Sequence, residues 1–199
     1  MGHFSVAMRK ITLFMMVSLD GFFEGQNHDL SWHHVDNEFN KFAIVQLKEA
    51  GLIFFGRRTY ELFESFWPKA ESDPRASKDN LEIAHLINNM EKIVFSRKMK
   101  SVKEGKNWKN VTLRHEVDPD EIKRLKQQGG KGIWIGGSSD LSVSLIKEGL
   151  IDEFRIMINP VVIGNGKRLF VGLNEKLELK LVKTRNFKSG NVLLYFERT

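Results

Sequence analysis

Three short stretches carry the groups that could do chemistry. Gly132-Ile133-Trp134-Ile135 is an apolar run that ends in Gly136-Gly137-Ser138-Ser139, and Leu141, Val143, Leu145 and Ile146 then recur with helical spacing. Strand, glycine turn and helix start in that order form an anion-binding arrangement. The glycines admit a bulky ligand close to the backbone, and the helix start offers unpaired N–H groups and a positive dipole end. Ser138 or Ser139 can cap that helix or donate to the anion. The pattern is neither G-x-G-x-x-G nor a P-loop, and on its own it also fits an ordinary turn. Leu52-Ile53-Phe54-Phe55 followed by Gly56-Arg57-Arg58-Thr59 repeats the arrangement with two arginines and a hydroxyl. Lys92-Ile93-Val94-Phe95 ends in Ser96-Arg97-Lys98, with no acidic residue at the position that would bind the ribose hydroxyls of NAD. A basic residue there suits a 2′-phosphate instead.

The elements that must position these groups alternate between strand and helix. Lys10 to Leu19 is apolar with few breaks, as in a strand buried on both faces, and Asp20-Gly21 turns the chain after it. Asp36 caps an expected helix running to about Ala50, with Phe39, Phe42, Ala43 and Leu47 on one face. A second helix opens at Gly56 and runs to about Phe66. The polar stretch from Pro68 to Asp79 reads as a long loop. Asp118-Pro119-Asp120-Glu121 is a helix start with a cap, a proline at the first position and an early acid. Leu177 to Phe187 and Asn191 to Glu197 alternate around Lys188-Ser189-Gly190, which predicts a terminal antiparallel hairpin. The fold class is therefore α/β, with a mostly parallel central sheet flanked by helices and an antiparallel C-terminal hairpin. Residues 1–9 read as an N-terminal extension and 10–199 as one domain.

Composition narrows the function. The 199 residues are 41% hydrophobic, with fifteen Phe, enough for a sizeable core. There is no cysteine, which removes disulfides and thiolate metal sites. His33 and His34 are adjacent and lack ligand spacing, so no metal is expected. No apolar run reaches the ~20 residues that span a bilayer, and Met1 to Ala7 lacks the features of a signal peptide. A cytoplasmic location is the expectation. The net charge of +6 is spread from Arg9 to Arg198 with no basic tail, which argues against nucleic acid; it reads as solvated surface overall and, locally, as a field that draws a small polyanion.

In order and spacing, Ser18-Leu19-Asp20-Gly21, Gly56-Arg57-Arg58-Thr59-Tyr60-Glu61, Ser96-Arg97, Gly136-Gly137-Ser138-Ser139, and Asp152-Glu153 leading to Pro160-Val161-Val162-Ile163-Gly164-Asn165-Gly166 resemble the dihydrofolate reductase fold. The resemblance is to the group holding the reductase domain of riboflavin biosynthesis and its single-domain bacterial relatives, and it covers Lys10 to about Phe196. It implies an NADPH-dependent reductase of a pyrimidine or pterin-like ring, with 5-amino-6-(5-phosphoribosylamino)uracil as the leading substrate, and a homodimer. Dihydrofolate reductase-like activity and a non-catalytic nucleotide-binding protein are the alternatives. By the same resemblance, Gly56, Arg57, Arg58 and Thr59 hold cofactor phosphates, and Ser96 and Arg97 lie by the 2′-phosphate. Gly136, Gly137, Ser138, Ser139 and Leu141 cradle the pyrophosphate, and the backbone of Val17 to Leu19 flanks the nicotinamide. Reducing a C=N bond needs an acid near the acceptor nitrogen. The candidates are Asp36 at the start of the first helix and Asp20, with Trp32 and Phe39 lining an aromatic slot for the substrate. Two positions depart from the group's pattern. Gly136 stands where those reductases tend to carry Glu, and Phe66-Trp67-Pro68 where they tend to show an acidic pair before proline.

Overall fold

The computed structural model describes residues 7–199, so most of the expected extension over 1–9 lies outside the described residues. Arg9 is already tied to the domain: its N–H donates to Lys126 O at 2.8 Å and its Nε to Lys131 O at 2.7 Å. The chain then runs β1 (Ile11–Ser18), β2 (Phe22–Glu24), a short turn of 3-10 helix, α1 (Asn37–Glu49), β3 (Ala50–Gly56), α2 (Arg57–Ala70), α3 (Lys78–Asn89), β4 (Glu91–Phe95) and β5 (Val111–Arg114). It continues with α4 (Pro119–Gln127), β6 (Gly132–Gly136), α5 (Ser139–Lys147), β7 (Glu153–Asn159), β8 (Lys167–Arg168), β9 (Leu179–Asn186) and β10 (Val192–Arg198).

Eight strands form one sheet in the order β5-β4-β3-β6-β1-β7-β10-β9. The first six are mutually parallel, and β10 is antiparallel to both β7 and β9. The mostly parallel sheet with an antiparallel C-terminal pair is thus as expected. Strand β1 shows why its sequence is apolar throughout. Ile11, Leu13, Met15 and Val17 enter the core that also holds Ile122, Leu141 and Leu145, while Phe14 and Met16 enter the opposite core with Phe42, Ile53, Phe55 and Trp134. Phe54 and Phe55, both 0% exposed, divide the same way in β3. Each such side chain contributes about 1.5–3 kcal/mol of burial. No helix among the described residues is long and apolar enough to cross a membrane.

Caps follow the sequence. Asp36 Oδ1 accepts from Phe39 N at 2.8 Å, and Asp118 accepts from Asp120 N at 2.9 Å with Pro119 opening α4. The expected loop from Pro68 is a correction. Helix α2 continues through Pro68 to Ala70, and the loop is confined to 71–77. Pro68 withholds an N–H from Glu64 O, and the helix ends two residues later. The carbonyls at that end find side-chain donors: Asn88 Nδ2 donates to Trp67 O at 3.2 Å and Asn107 Nδ2 to Pro68 O at 3.4 Å. Beyond the Asp20-Gly21 turn the chain forms a second sheet, in which β2 pairs antiparallel with β8.

Strand β6 is threaded back between β3 and β1 after the chain has run outward to β5. Its C-terminal end therefore opens where the crossovers diverge, the place at which open α/β sheets bind ligands.

Candidate ligand-binding cleft

A cleft of about 820 Å³ lies at that end of the sheet. Gly56, Arg57, Arg58 and Thr59 line it from β3 and the start of α2. Ser96, Arg97 and Lys98 line it after β4, His115 and Val117 after β5, and Ser138, Ser139 and Leu141 at the start of α5. The three strand ends singled out by their residue types thus share one cavity. Gly136 and Gly137 form the turn directly behind it.

The turn is shaped for an anion. Gly137 at φ +72° and Ser138 at φ +59° are consecutive left-handed residues, and α5 starts immediately after them. A non-glycine residue held at positive φ is a cost usually met at functional sites, and successive N–H groups in such turns form concave anion seats. Ser138 does not cap α5 with its hydroxyl, contrary to one of the two roles expected of it. Its Oγ instead accepts from Gly56 N at 2.9 Å, while Ser138 N donates to Thr59 Oγ1 at 3.1 Å. Both hydroxyl oxygens are therefore acceptors toward the protein, and their hydrogens are free to point at a ligand. The N–H groups of Ser139, Asp140 and Leu141 precede the first intrahelical bond, which is Ser142 N to Ser138 O at 2.9 Å. Gly137 has its own steric reason: a Cβ there would meet Thr59 at 3.2 Å in a backbone conformation that strains any side chain.

The cleft lining carries six Lys and Arg side chains against four carboxylates, Glu24, Glu116, Asp140 and Glu148. Arg57 pairs with Glu61 at 2.8 Å along α2. Arg58, Arg97 and Lys98 make no ion pair among the described residues. His115 Nδ1 lies 3.1 Å from Ser96 O. A carbonyl only accepts, so Nδ1 carries the proton and Nε2 is the atom left for other partners. The same strand-end rule that pointed to Ser96 could have found His115 at the end of β5 and Lys98 beside Arg97. Phe23, Glu24 and Lys167 also line the cleft, and they come from the small β2–β8 sheet. No local signal marks them, because their position depends on a pairing across about 140 residues of chain.

The remaining candidates do not line this cleft. Val17 is buried at the end of β1, and Leu19 is 65% exposed on the turn after it, its N–H donating to Val161 O at 2.8 Å. Asp20 accepts from Gly164 N at 2.8 Å and Ile163 N at 3.3 Å, one bond to each carboxylate oxygen. Hydrogen bonds from Ser18, then from Gly164 and Ile163, hold its carboxyl below the usual range. Asp20 thus ties the β1–β2 turn to the loop after β7. Asp36 uses only Oδ1 in capping α1. Trp32 donates from Nε1 to Asp29 O at 3.1 Å and meets the His33 ring edge-on at 4.4 Å. Phe39 packs on Phe14 and Phe42 at 6.3 and 6.4 Å. Asp36 and Phe39 share the start of α1, and the segment before it is anchored by His34 N donating to Asn159 Oδ1 at 2.9 Å.

His33 in that segment is largely buried and its Nε2 has no partner. Burial pulls its pKa down to about 4, against a weaker opposite pull from Asp29. The unfolded imidazole takes up its proton near pH 6.5. Between those values the unfolded chain therefore holds more protons than the folded one, and stability falls as pH falls. The contribution is complete above pH 6.5 and is worth about 3 kcal/mol. His33→Gln is expected to flatten the urea midpoint between pH 7 and 4.5, and an unchanged slope would assign the acid sensitivity to another group.

The dihydrofolate reductase-like arrangement is matched by solved structures. A putative riboflavin biosynthesis protein from Shewanella sp. PV-4 superposes with a TM-score of 0.71 at 22% identity, over 96% of this chain and 99% of its own. Dihydrofolate reductase from Enterococcus faecalis, complexed with NADP(H) and RAB-propyl, superposes with a TM-score of 0.60 at 15% identity, over 96% of each chain. The fold class is therefore that of the dihydrofolate reductases. Within it, the model of the RibD C-terminal domain family matches residues 9–193, and the chain belongs to that family. The uncharacterized protein YyaP of Bacillus subtilis strain 168 is 36% identical over 194 residues, 96% of each chain.

Proposed function

We propose that this chain is an NADPH-dependent reductase of a pyrimidine or pterin-like ring, with the ribosylamino-uracil phosphate of riboflavin biosynthesis as the leading substrate. The observation that carries the reading is the convergence of three strand ends on one cleft that holds unpaired Arg58, Arg97 and Lys98 beside the N-terminus of α5. The residues fit the cofactor. The Ser138 and Thr59 hydroxyls and the three N–H groups at the start of α5 are available to a pyrophosphate, and Ser96, Arg97 and Lys98 suit a 2′-phosphate.

When bound, the nicotinamide supplies a hydride. The chain's part is to hold the phosphates so that the reactive ring lies near the end of β1, to exclude water there and to deliver a proton to the acceptor nitrogen. Of the two candidate acids, Asp36 is the better placed chemically. Its Oδ2 is free, whereas both Asp20 oxygens already accept backbone N–H groups. Trp32, before α1, and Phe39, in its first turn, are the aromatic side chains this reading assigns to the substrate.

Both acids already hold backbone N–H groups, and this favours a second reading, a nucleotide-binding protein without turnover. The test is NADPH oxidation, followed at the cofactor's absorbance, with pyrimidine and pterin substrates. Oxidation that falls at least a hundredfold in Asp36→Asn supports the reductase. Tight NADPH binding without oxidation by any of them supports the second reading.

A further inference from the structure

The first turn of α5 holds an apparent contradiction. Asp140 places a carboxylate, 85% exposed, beside the N–H groups that would receive a pyrophosphate. An anion arriving there meets a like charge, unless another group offsets it. That group is Lys167. Its Nζ lies 2.7 Å from Asp140 Oδ1, and it comes from β8, which also lines the cleft.

The way Lys167 is held suggests more than neutralisation. Its side chain is only 32% exposed, with Nζ 5.6 Å from the centre of the Phe23 ring. The β2–β8 ribbon that carries it is firmly built. Glu24 pairs with Lys167 and Phe22 with Arg168, whose guanidinium lies 4.7 Å over the Phe22 ring. Phe22 N donates to Ser18 Oγ at 3.0 Å, and Asp20 ties the ribbon's two approaches together through Gly164. A Cβ at Gly166 would meet Glu24 O at 2.2 Å, so the backbones close tightly just before Lys167. The ribbon therefore projects one long cation over the phosphate cradle and holds its base still. The carboxylate that cation touches stands in the first turn of α5, beside the N–H groups an incoming phosphate would claim.

We propose that Lys167 is a phosphate-binding residue of the cleft, held on Asp140 in the free protein and transferred to the pyrophosphate of the ligand on binding. This rests on the nucleotide reading above, and it adds a binding group from outside the three strand ends. The shared pyrophosphate is the target, so Lys167 serves NADPH and NADH alike. Arg97, beside the 2′-phosphate, serves NADPH alone.

The test is calorimetric titration of the full chain with NADPH, NADH and inorganic pyrophosphate, in the wild type, K167M, D140N and the double variant. Each variant alters only an exposed or half-exposed ion pair, so folding should be retained, and a melting curve checks this. Lys167→Met is expected to weaken all three ligands by about tenfold, and Asp140→Asn to strengthen them several-fold. The decisive comparison is K167M in the D140N background. A loss that persists there means Lys167 touches the ligand. A loss that vanishes means the lysine only neutralises Asp140, and the proposal is overturned, as it is if K167M binds all three like wild type. Pyrophosphate binding that depends on Lys167 without NADPH binding would sustain the lysine's role and sink the nucleotide reading. Binding of none of the three would end both.

Discussion

Arg97→Ala weakens NADPH binding by about fortyfold and leaves NADH binding where it was. The expectation follows from position and charge. Arg97 lies just after β4, lines the cleft with Ser96, Lys98 and His115, and has no acidic partner among the described residues. A hydrogen bond to a charged group contributes about 1.5–3 kcal/mol, and the midpoint of that range corresponds to the stated loss. Among the described residues the guanidinium has no hydrogen-bond or ion-pair partner, so its removal should cost no stability. The two cofactors differ only in the 2′-phosphate, and parallel titrations isolate that contact. An equal loss for both would mean that Arg97 acts through the general field of the cleft.

Gly136→Ala destabilises the fold by about 3 kcal/mol, the upper part of the overpacking range. A Cβ at this position would lie 2.0 Å from Cη2 of Trp134 and 2.5 Å from its two neighbouring ring carbons. The indole cannot simply turn away. It stacks on Phe14 at 6.4 Å and contacts Phe63 at 6.5 Å, and it is 8% exposed. Urea unfolding measures the cost. Trp134→Leu combined with Gly136→Ala should be more stable than the sum of the single changes, because the smaller side chain leaves room for the methyl group. Additive losses would show that the glycine is needed for its backbone alone. The same geometry explains a departure noted in the sequence. A glutamate at 136, as related reductases tend to carry, has no space while Trp134 covers the strand end.

The parts of this fold that were legible in the sequence are those whose causes are local. The uninterrupted apolar run of β1 reports burial on two faces, and the alternation about Lys188-Ser189-Gly190 reports the terminal hairpin, whose strands pair from Val192 with Asn186 onward. Asp36 and Asp118 mark helix starts because a cap acts within three residues. The strand-end residues could be grouped into one site because a parallel sheet brings its carboxyl ends together. What was not legible depends on partners distant in the chain. The β2 and β8 strands, three and two residues long, are too short to show a period, and their pairing brings Phe23 and Lys167 to the cleft. Helix α2 outlasts Pro68 because Asn88 and Asn107, from other segments, accept the task of satisfying its last carbonyls. Ser138 reads as a cap from its neighbours, yet Gly56 lies close enough to claim its hydroxyl.

The most direct test of the central claim is an equilibrium titration of the purified protein with NADPH and, separately, NADH, with unfolding followed at saturation. Three strand ends acting as one dinucleotide site predict that NADPH binds at least tenfold more tightly than NADH. At a hundred times its dissociation constant, NADPH should stabilise the fold by about 2.7 kcal/mol. Equal affinity for the two cofactors would contradict the 2′-phosphate site at Ser96 and Arg97, and binding of neither would contradict the nucleotide cleft as a whole.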